Sequence, residues 1–360
     1  MADDKQPTVR KGQGDTTLSR AEFSKRFRAQ FYDPAFDSLQ AEIEKLENAA
    51  WDGYDHSRKS PRTRKAGAEF ADPGYELAIE WIAAREAIHA AGKTQRDPAT
   101  QRRVLLIGGS SRSDMTCPGE MSKTFRLMQL ARASLEADGV EVDVLDLSRL
   151  ASEYGRRIFP CKGCVSTAMP LCHWPCSCYP NYSLNQVDDW MNEIYVRFVA
   201  AHGVMIVTPV YWYQAASPLK LMMDRLVCAD GGNPDPTTTH GKRPEEAKAI
   251  EMKGWDYPRH LAGRAFAVIV HGDTDGVHNV RTALADWLSD MGLIQAGHAA
   301  VLGRYIDYYG KYATSHEVLD RDEALQQEVK NAAHALAAEI TLQRAGRPEP
   351  DASLREPRPK

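Results

Sequence analysis

Five short apolar runs punctuate this chain beyond residue 100: RVLLIGG (103–109), VEVDVLDL (140–147), GVMIVTP (203–209), RAFAVIVHG (264–272) and LIQAGHAAVL (293–302). Stretches of helical length and pattern separate them, at 120–137, 187–201, 216–229 and 277–291, and a last one follows at 321–344. RVLLIGG, a short apolar run ending in glycines, fits a buried parallel strand, VEVDVLDL alternates or runs apolar, and the others read as strands too. Strand alternating with helix then specifies an α/β fold, a doubly wound parallel sheet with helices on both sides. Ligands of such sheets bind at the carboxyl ends of the strands, which directs attention to the segments after Gly109, Thr208 and Val270.

The first hundred residues have another character. Residues 1–20 are polar and read as a flexible tail, and so do residues 346–360 at the other end. Phe23, Phe27, Phe31, Leu39, Ile43 and Leu46 suggest one or two amphipathic helices. A third is expected over 72–91 with Ala78, Ile79, Ile82 and Ala83 inward. The run DHSRKSPRTRK (55–65) reads as an exposed loop, and no strand pattern is visible. The expected division is a helical N-terminal extension over 1–100 and one α/β domain over 101–345. At 43% hydrophobic and 26% charged residues, wholesale disorder is excluded. The most apolar stretch, 196–212, is interrupted by Arg197 and His202, so no membrane span is expected. The opening MADDKQPTVRKGQGD lacks an apolar signal core, which points to a cytoplasmic protein. A net charge of -4 supplies no electrostatic reason for a nucleic-acid partner.

Three strand ends carry candidate chemistry. After the first come Gly108-Gly109-Ser110-Ser111-Arg112-Ser113 and then Ser122-Lys123-Thr124 near a helix start. Backbone N–H groups, hydroxyls and a helix N-terminus are what a phosphate needs, and Arg112 adds a fork-shaped cation. No G-x-G-x-x-G follows the strand, and Ser122 stands where a Walker loop has glycine, so the loop suits a single phosphate monoester. The same residues can also form a polar turn with no ligand. After the third strand, Thr208-Pro209-Val210-Tyr211-Trp212-Tyr213 can border a flat heterocycle, or pack against the sheet or a second subunit. After the fourth comes His271-Gly272-Asp273, where Gly272 permits close backbone approach and His271 can equally be a loop histidine bonded to the backbone.

Five of the seven cysteines, Cys161, Cys164, Cys172, Cys176 and Cys178, fall within 18 residues. Without a secretory signal, such a cluster suggests metal binding, redox chemistry or coincidence. The Cys161-Lys-Gly-Cys164 spacing lets two thiolates reach one metal or cluster, but Val165 to Leu171 separates the next cysteine and Cys176-Ser-Cys178 is an unusual ligand spacing. An iron–sulfur cluster, structural zinc and plain loop thiols all stay open, and no metal ligand is assigned.

Taken together, the GGSSR loop, S-K-T-x-x-L (122–127), the Asp188-Asp189 pair heading a helix and T-P-V-Y-W (208–212) resemble the NAD(P)H-dependent FMN reductase family. The resemblance covers roughly 103–302 and the final helix, and is strongest to the iron–sulfur-flavoprotein-like branch, which carries C-x-x-C after the second strand. It implies a flavodoxin-like five-stranded sheet of order 2-1-3-4-5, bound FMN, and a homodimer or homotetramer. It further implies hydride transfer from NAD(P)H to FMN and onward reduction of a small-molecule acceptor, with no obligatory catalytic side chain because the cofactor carries the chemistry. By motif position, Ser110, Arg112, Ser122, Lys123 and Thr124 would hold the FMN phosphate. Pro209, Val210, Tyr211 and Trp212 would border the isoalloxazine, with His271, Gly272 and Asp273 on its other side. The alternative within the same fold is an electron carrier, flavodoxin-like or an iron–sulfur flavoprotein. Two departures stand out: a long loop between Arg112 and Ser122, containing Cys117-Pro118, and a first hundred residues that match nothing in the family core.

Overall fold

The structure, a computed structural model, describes residues 17–113, 121–272, 275–306 and 314–346. The chain forms two compact units, one from 1–87, 155–192 and 224–258, the other from 88–154, 193–223 and 259–360.

In the first unit, the helices Arg20–Arg28 and Gln40–Asp55 are joined by an aromatic cluster. Phe23 stands 5.2 Å from Trp51 and 5.1 Å from Tyr54, ring centre to ring centre. Ser19 caps the first helix by accepting from the Glu22 N–H at 3.2 Å. Two three-residue strands follow, β1 (Thr63–Lys65) and β2 (Glu76–Ala78), paired antiparallel. This corrects two expectations. The N-terminal region is not strand-free, and part of the basic run is buried: Lys59 and Ser60 are 7% and 1% exposed, with the Lys59 ammonium on the Ser177 carbonyl. Three-residue strands are too short to show a period. The third helix starts later than its apolar residues suggest, at Ile79, and runs to Arg96. Phe70, Leu77, Ala78, Trp81 and Ile82 form a small core, and the Trp81 indole donates to the Pro175 carbonyl at 2.8 Å.

The aperiodic 155–192 segment is built from single 3-10 turns, Cys164–Ser166, Met169–Leu171 and Tyr182–Leu184. A buried polar network replaces an apolar face: the His173 ring bonds the Ser177 and Thr239 hydroxyls at 2.6 and 2.8 Å. The helix Pro244–Met252 went unseen in the sequence, because Ala247 is its one buried residue.

The second unit contains the sheet: β3 (Arg103–Gly108), β4 (Glu141–Asp146), β5 (Gly203–Tyr211), β6 (Gln214–Ala215), β7 (Ala265–Gly272), β8 (Ile294–Gln295) and β9 (Val301–Tyr305). The order is β4-β3-β5-β7-β8, in parallel pairs, and β9 also pairs with β7. Among the described residues the sheet has seven strands, where five were expected. The expected fifth strand is two short ones, parted at Gly297 (φ 76°) and the turn His298–Ala300. The extra strand β6 folds back on β5 through Trp212-Tyr213, both left-handed at φ 46° and 68°, the conformation a tight hairpin requires. On one face the helices Lys123–Ala137 and Glu323–Arg344 contribute Leu127, Leu135, Val329, Leu336 and Ile340 to the core. The fold is flavodoxin-like, a mostly parallel central sheet with flanking helices. Among the described residues, no helix is long and apolar enough to cross a membrane.

Candidate functional site

The carboxyl ends of β3, β5 and β7 come together. Beyond β3, Gly109 donates to the Val207 carbonyl at 2.8 Å. A Cβ there would lie 2.6 Å from Thr208 Oγ1 and 2.9 Å from Leu219, so only glycine lets the loop leave the sheet this close to β5. Ser110, buried, accepts from the Arg112 N–H at 3.0 Å and lies 3.1 Å from Tyr211 Oη. That contact ties the first strand end to the third.

The next contact ties the first segment to the fourth strand. Ser122 caps Lys123–Ala137, accepting from the Phe125 N–H at 3.4 Å. Lys123 and Thr124 lie buried in the first turn, and Thr124 Oγ1 shares a 2.8 Å hydrogen bond with His271 Nε2. Burial, reinforced by the Lys123 charge, brings the His271 imidazole down to about 3, so it is neutral at physiological pH. Where β7 continues, a Cβ on Gly272 would lie 3.2 Å from that of Val210, and one on Gly276 (φ 110°) 2.8 Å from the Tyr213 backbone. The loop after β7 therefore abuts the β5–β6 turn.

Of the twelve residues singled out from sequence, Ser110 contacts Tyr211, and Thr124 contacts His271 with the Lys123 charge beside it, with Pro209 in register with His271 and Ser122 at the helix cap. Val210 packs under Gly272. Arg112 is placed by its backbone, and Asp273 lies outside the described residues, as does the Cys117-Pro118 part of the loop. Trp212 is not enclosed: at the tip of the turn it is 89% exposed, and Tyr213 is 54% exposed. Buried Lys123 and Thr124 stand in the first turn of a 15-residue helix next to a neutral imidazole, capped by the Ser122 hydroxyl, and Ser110 lies buried beyond the end of β3. That donor set suits a phosphate monoester, and the residues fit the phosphate end of FMN.

The family described as NADPH-dependent FMN reductase matches residues 102–306. The chain belongs to the NADPH-dependent FMN reductase family. It is an FMN-dependent oxidoreductase. Solved structures similar to it include RosB with bound 8-demethyl-8-formylriboflavin-5'-phosphate, at 14% identity over 68% of this chain and 81% of that one (TM-score 0.48). The apo form of the NADH:FMN oxidoreductase EmoB is similar at 14% identity, over 66% and 89% (TM-score 0.38). The NAD(P)H:quinone oxidoreductase from Methanothermobacter marburgensis is similar at 14%, over 67% and 95% (TM-score 0.36). No curated protein matches the chain.

Cys161, Cys164, Cys172, Cys176 and Cys178 lie in the first unit and surround a small cavity shared with Tyr179 and Arg225. None of the five is in a disulfide. Cys164 and Cys178 place their sulfurs 3.7 Å apart, and Lys242 Nζ stands 2.9 Å from each. Where a metal would bridge these thiols, a side-chain cation already does. Among the described residues, no three metal-ligating side chains converge. Cys164 and Cys178 are thus held by the Lys242 ammonium. Arg225 stacks at 4.8 Å on the Tyr179 ring and pairs with Asp189 at 2.6 Å. The second aspartate of the Asp188-Asp189 pair is therefore committed to a buried ion pair. Sequence reasoning missed Lys242 and Arg225, since neither is near the cysteines along the chain.

Proposed function

We propose that this protein is an NAD(P)H-dependent reductase that oxidises a reduced nicotinamide and passes two electrons to a second small-molecule acceptor of flavin, quinone or azo type. The reading rests on two contacts, Thr124 with His271 in the first turn of the helix that carries Lys123, and Ser110 with Tyr211 at the neighbouring strand ends. FMN, when bound, supplies the hydride-accepting ring that links the two substrates. The chain's own work is to hold and orient. Ser110, Arg112, Ser122, Lys123 and Thr124 bind the phosphate, Pro209, Val210, Tyr211 and Trp212 border one side of the ring, and His271, Gly272 and Asp273 border the other. A neutral His271 presents no second buried charge to compete with Lys123 for the phosphate.

The test is spectroscopic. Purified without air, the protein is expected to show the two visible bands of bound flavin, which bleach on adding NADPH or NADH. A flavin that neither nicotinamide bleaches makes the protein an electron carrier instead. The phosphate assignment is checked separately by titrating FMN and riboflavin into the flavin-free protein. Loss of one charge-assisted hydrogen bond in Lys123→Met, and equally in Arg112→Ala, is expected to weaken FMN binding roughly 10- to 150-fold. Riboflavin, lacking the phosphate, should hardly notice either change. Equal weakening of both ligands would sink the assignment.

A further inference from the structure

The cysteine cavity takes no part in the reading above and does not depend on it. Cys164 is half-buried and follows Gly163, whose φ of 63° turns the chain into a single 3-10 turn. Cys178 is 4% exposed. Their sulfurs, 3.7 Å apart, need to close by less than 2 Å to reach the roughly 2.05 Å of a disulfide.

Lys242 reaches them from a strained segment. His240, Gly241 and Lys242 are all left-handed, at φ 38°, 78° and 93°, a conformation that non-glycine residues rarely adopt. The Lys242 ammonium spends its hydrogen bonds on the two thiols. Removing an ammonium from water is unfavourable unless a counter-charge meets it, and the groups it meets are sulfurs. The remaining polar groups lining the cavity are Cys161, Lys162, Cys172, Cys176, Tyr179 and Arg225. The helix Pro244–Met252 packs there with an apolar residue, Ala247. The hydrogen bond with Cys178, opposed by burial and helped by the Lys242 charge, brings the Cys164 thiol down to about 6. Cys176 goes the other way: its bond to Cys178 and its burial hold it well above the usual thiol range. Cys164 is thus the partly exposed member of the pair and Cys178 the buried one.

We propose that Cys164 and Cys178 form a redox-active dithiol that reduces small external disulfides, with Lys242 holding the attacking sulfur as a thiolate. The Cys164 thiolate attacks one sulfur of the external disulfide. A mixed disulfide forms, the external S–S bond breaks, and the departing thiolate takes a proton from water. Cys178 then gives its proton to water and attacks Cys164 Sγ. The Cys164–Cys178 bond forms, the mixed disulfide breaks, and the second external thiolate leaves and is protonated. Two electrons pass from the pair to the external disulfide, which ends as two thiols.

Flavin-loaded full-length protein, reduced and freed of reductant, is mixed with oxidised glutathione and its peptides are mapped by mass spectrometry. The expected product is a Cys164–Cys178 cross-link with two glutathiones released per chain. Cys178→Ser should stop at glutathione bound to Cys164. The rate in the unmodified protein should level off above about pH 7, whereas in Lys242→Met it should level off at a higher pH, with the Cys178 hydrogen bond still in place. At pH 6 the variant is expected to react more slowly, the lost thiolate fraction being partly offset by a more nucleophilic sulfur. Lys242→Arg should restore the acid-shifted profile. An unchanged visible flavin spectrum and unchanged ellipticity confirm that each variant is folded. A cross-link between other cysteines, no cross-link, an unaltered profile in Lys242→Met, or stoichiometric iron or zinc that Cys164→Ser loses would each overturn the proposal.

Discussion

Replacing Arg225 with alanine is expected to cost the folded protein roughly 3–5 kcal/mol, the loss typical of stripping one partner from a buried ion pair. The side chains of Arg225 and Asp189 are 2% and 1% exposed and meet at 2.6 Å. Without the guanidinium, the Asp189 carboxylate stays buried with no counter-charge. The Phe159 carbonyl also loses a donor at 2.8 Å, and the Tyr179 ring loses the cation over its face. Urea denaturation followed by near-ultraviolet ellipticity measures the effect. Replacing the pair together, as Arg225→Met with Asp189→Leu, should recover much of the loss, because the penalty lies in the orphaned charge more than in the pair itself. A single-variant loss below about 1 kcal/mol would show that water reaches the site.

Acid should act through His271. Its imidazole falls from 6.5 to about 3 in the folded protein because it is buried and because Lys123 is charged beside it. A group whose folded value is lowered contributes stability that is complete above the unfolded value and is lost as the pH falls towards the folded one. The window therefore runs from about 6.5 down to about 3, and the loss reaches roughly 3 kcal/mol by pH 4. His271→Asn keeps a polar group for Thr124 and removes the titration. In flavin-free protein, the difference in denaturation midpoint between pH 7 and pH 4 should shrink by that amount in the variant. Parallel acid profiles for the two proteins would place the sensitivity on other groups.

β3, β5 and β7 were legible because burial on both faces leaves unbroken apolar runs such as VLLIG and AFAVIV. Their neighbours in the sheet came from resemblance, since spacing alone carries no order. What stayed hidden has physical reasons. The ribbon of β1 and β2 is shorter than any period, the Pro244–Met252 helix buries too little to show a face, and the break at Gly297 is a backbone event inside an apolar run. At the site, Ser110 and the Ser122-Lys123-Thr124 turn could be read because their chemistry is contiguous. The hydroxyl of Tyr211 against Ser110, and Thr124 against His271, join residues 101 and 147 positions apart. No local pattern encodes such a pairing. Lys242 is the extreme case, 64 residues beyond Cys178 and delivered by a left-handed segment that composition does not announce.

The first unit's three separated segments have a consequence for how the protein is made. A ribosome releases Leu77 and Trp81 well before Pro175, whose carbonyl receives the Trp81 indole 94 residues later. Lys59 waits still longer for Ser177, 118 residues away. The first unit cannot be completed until its last segment, which ends at Pro258, has emerged. Its early apolar side chains therefore stay uncovered while the first strands of the sheet are already being synthesised, the interval in which a nascent chain most needs a chaperone.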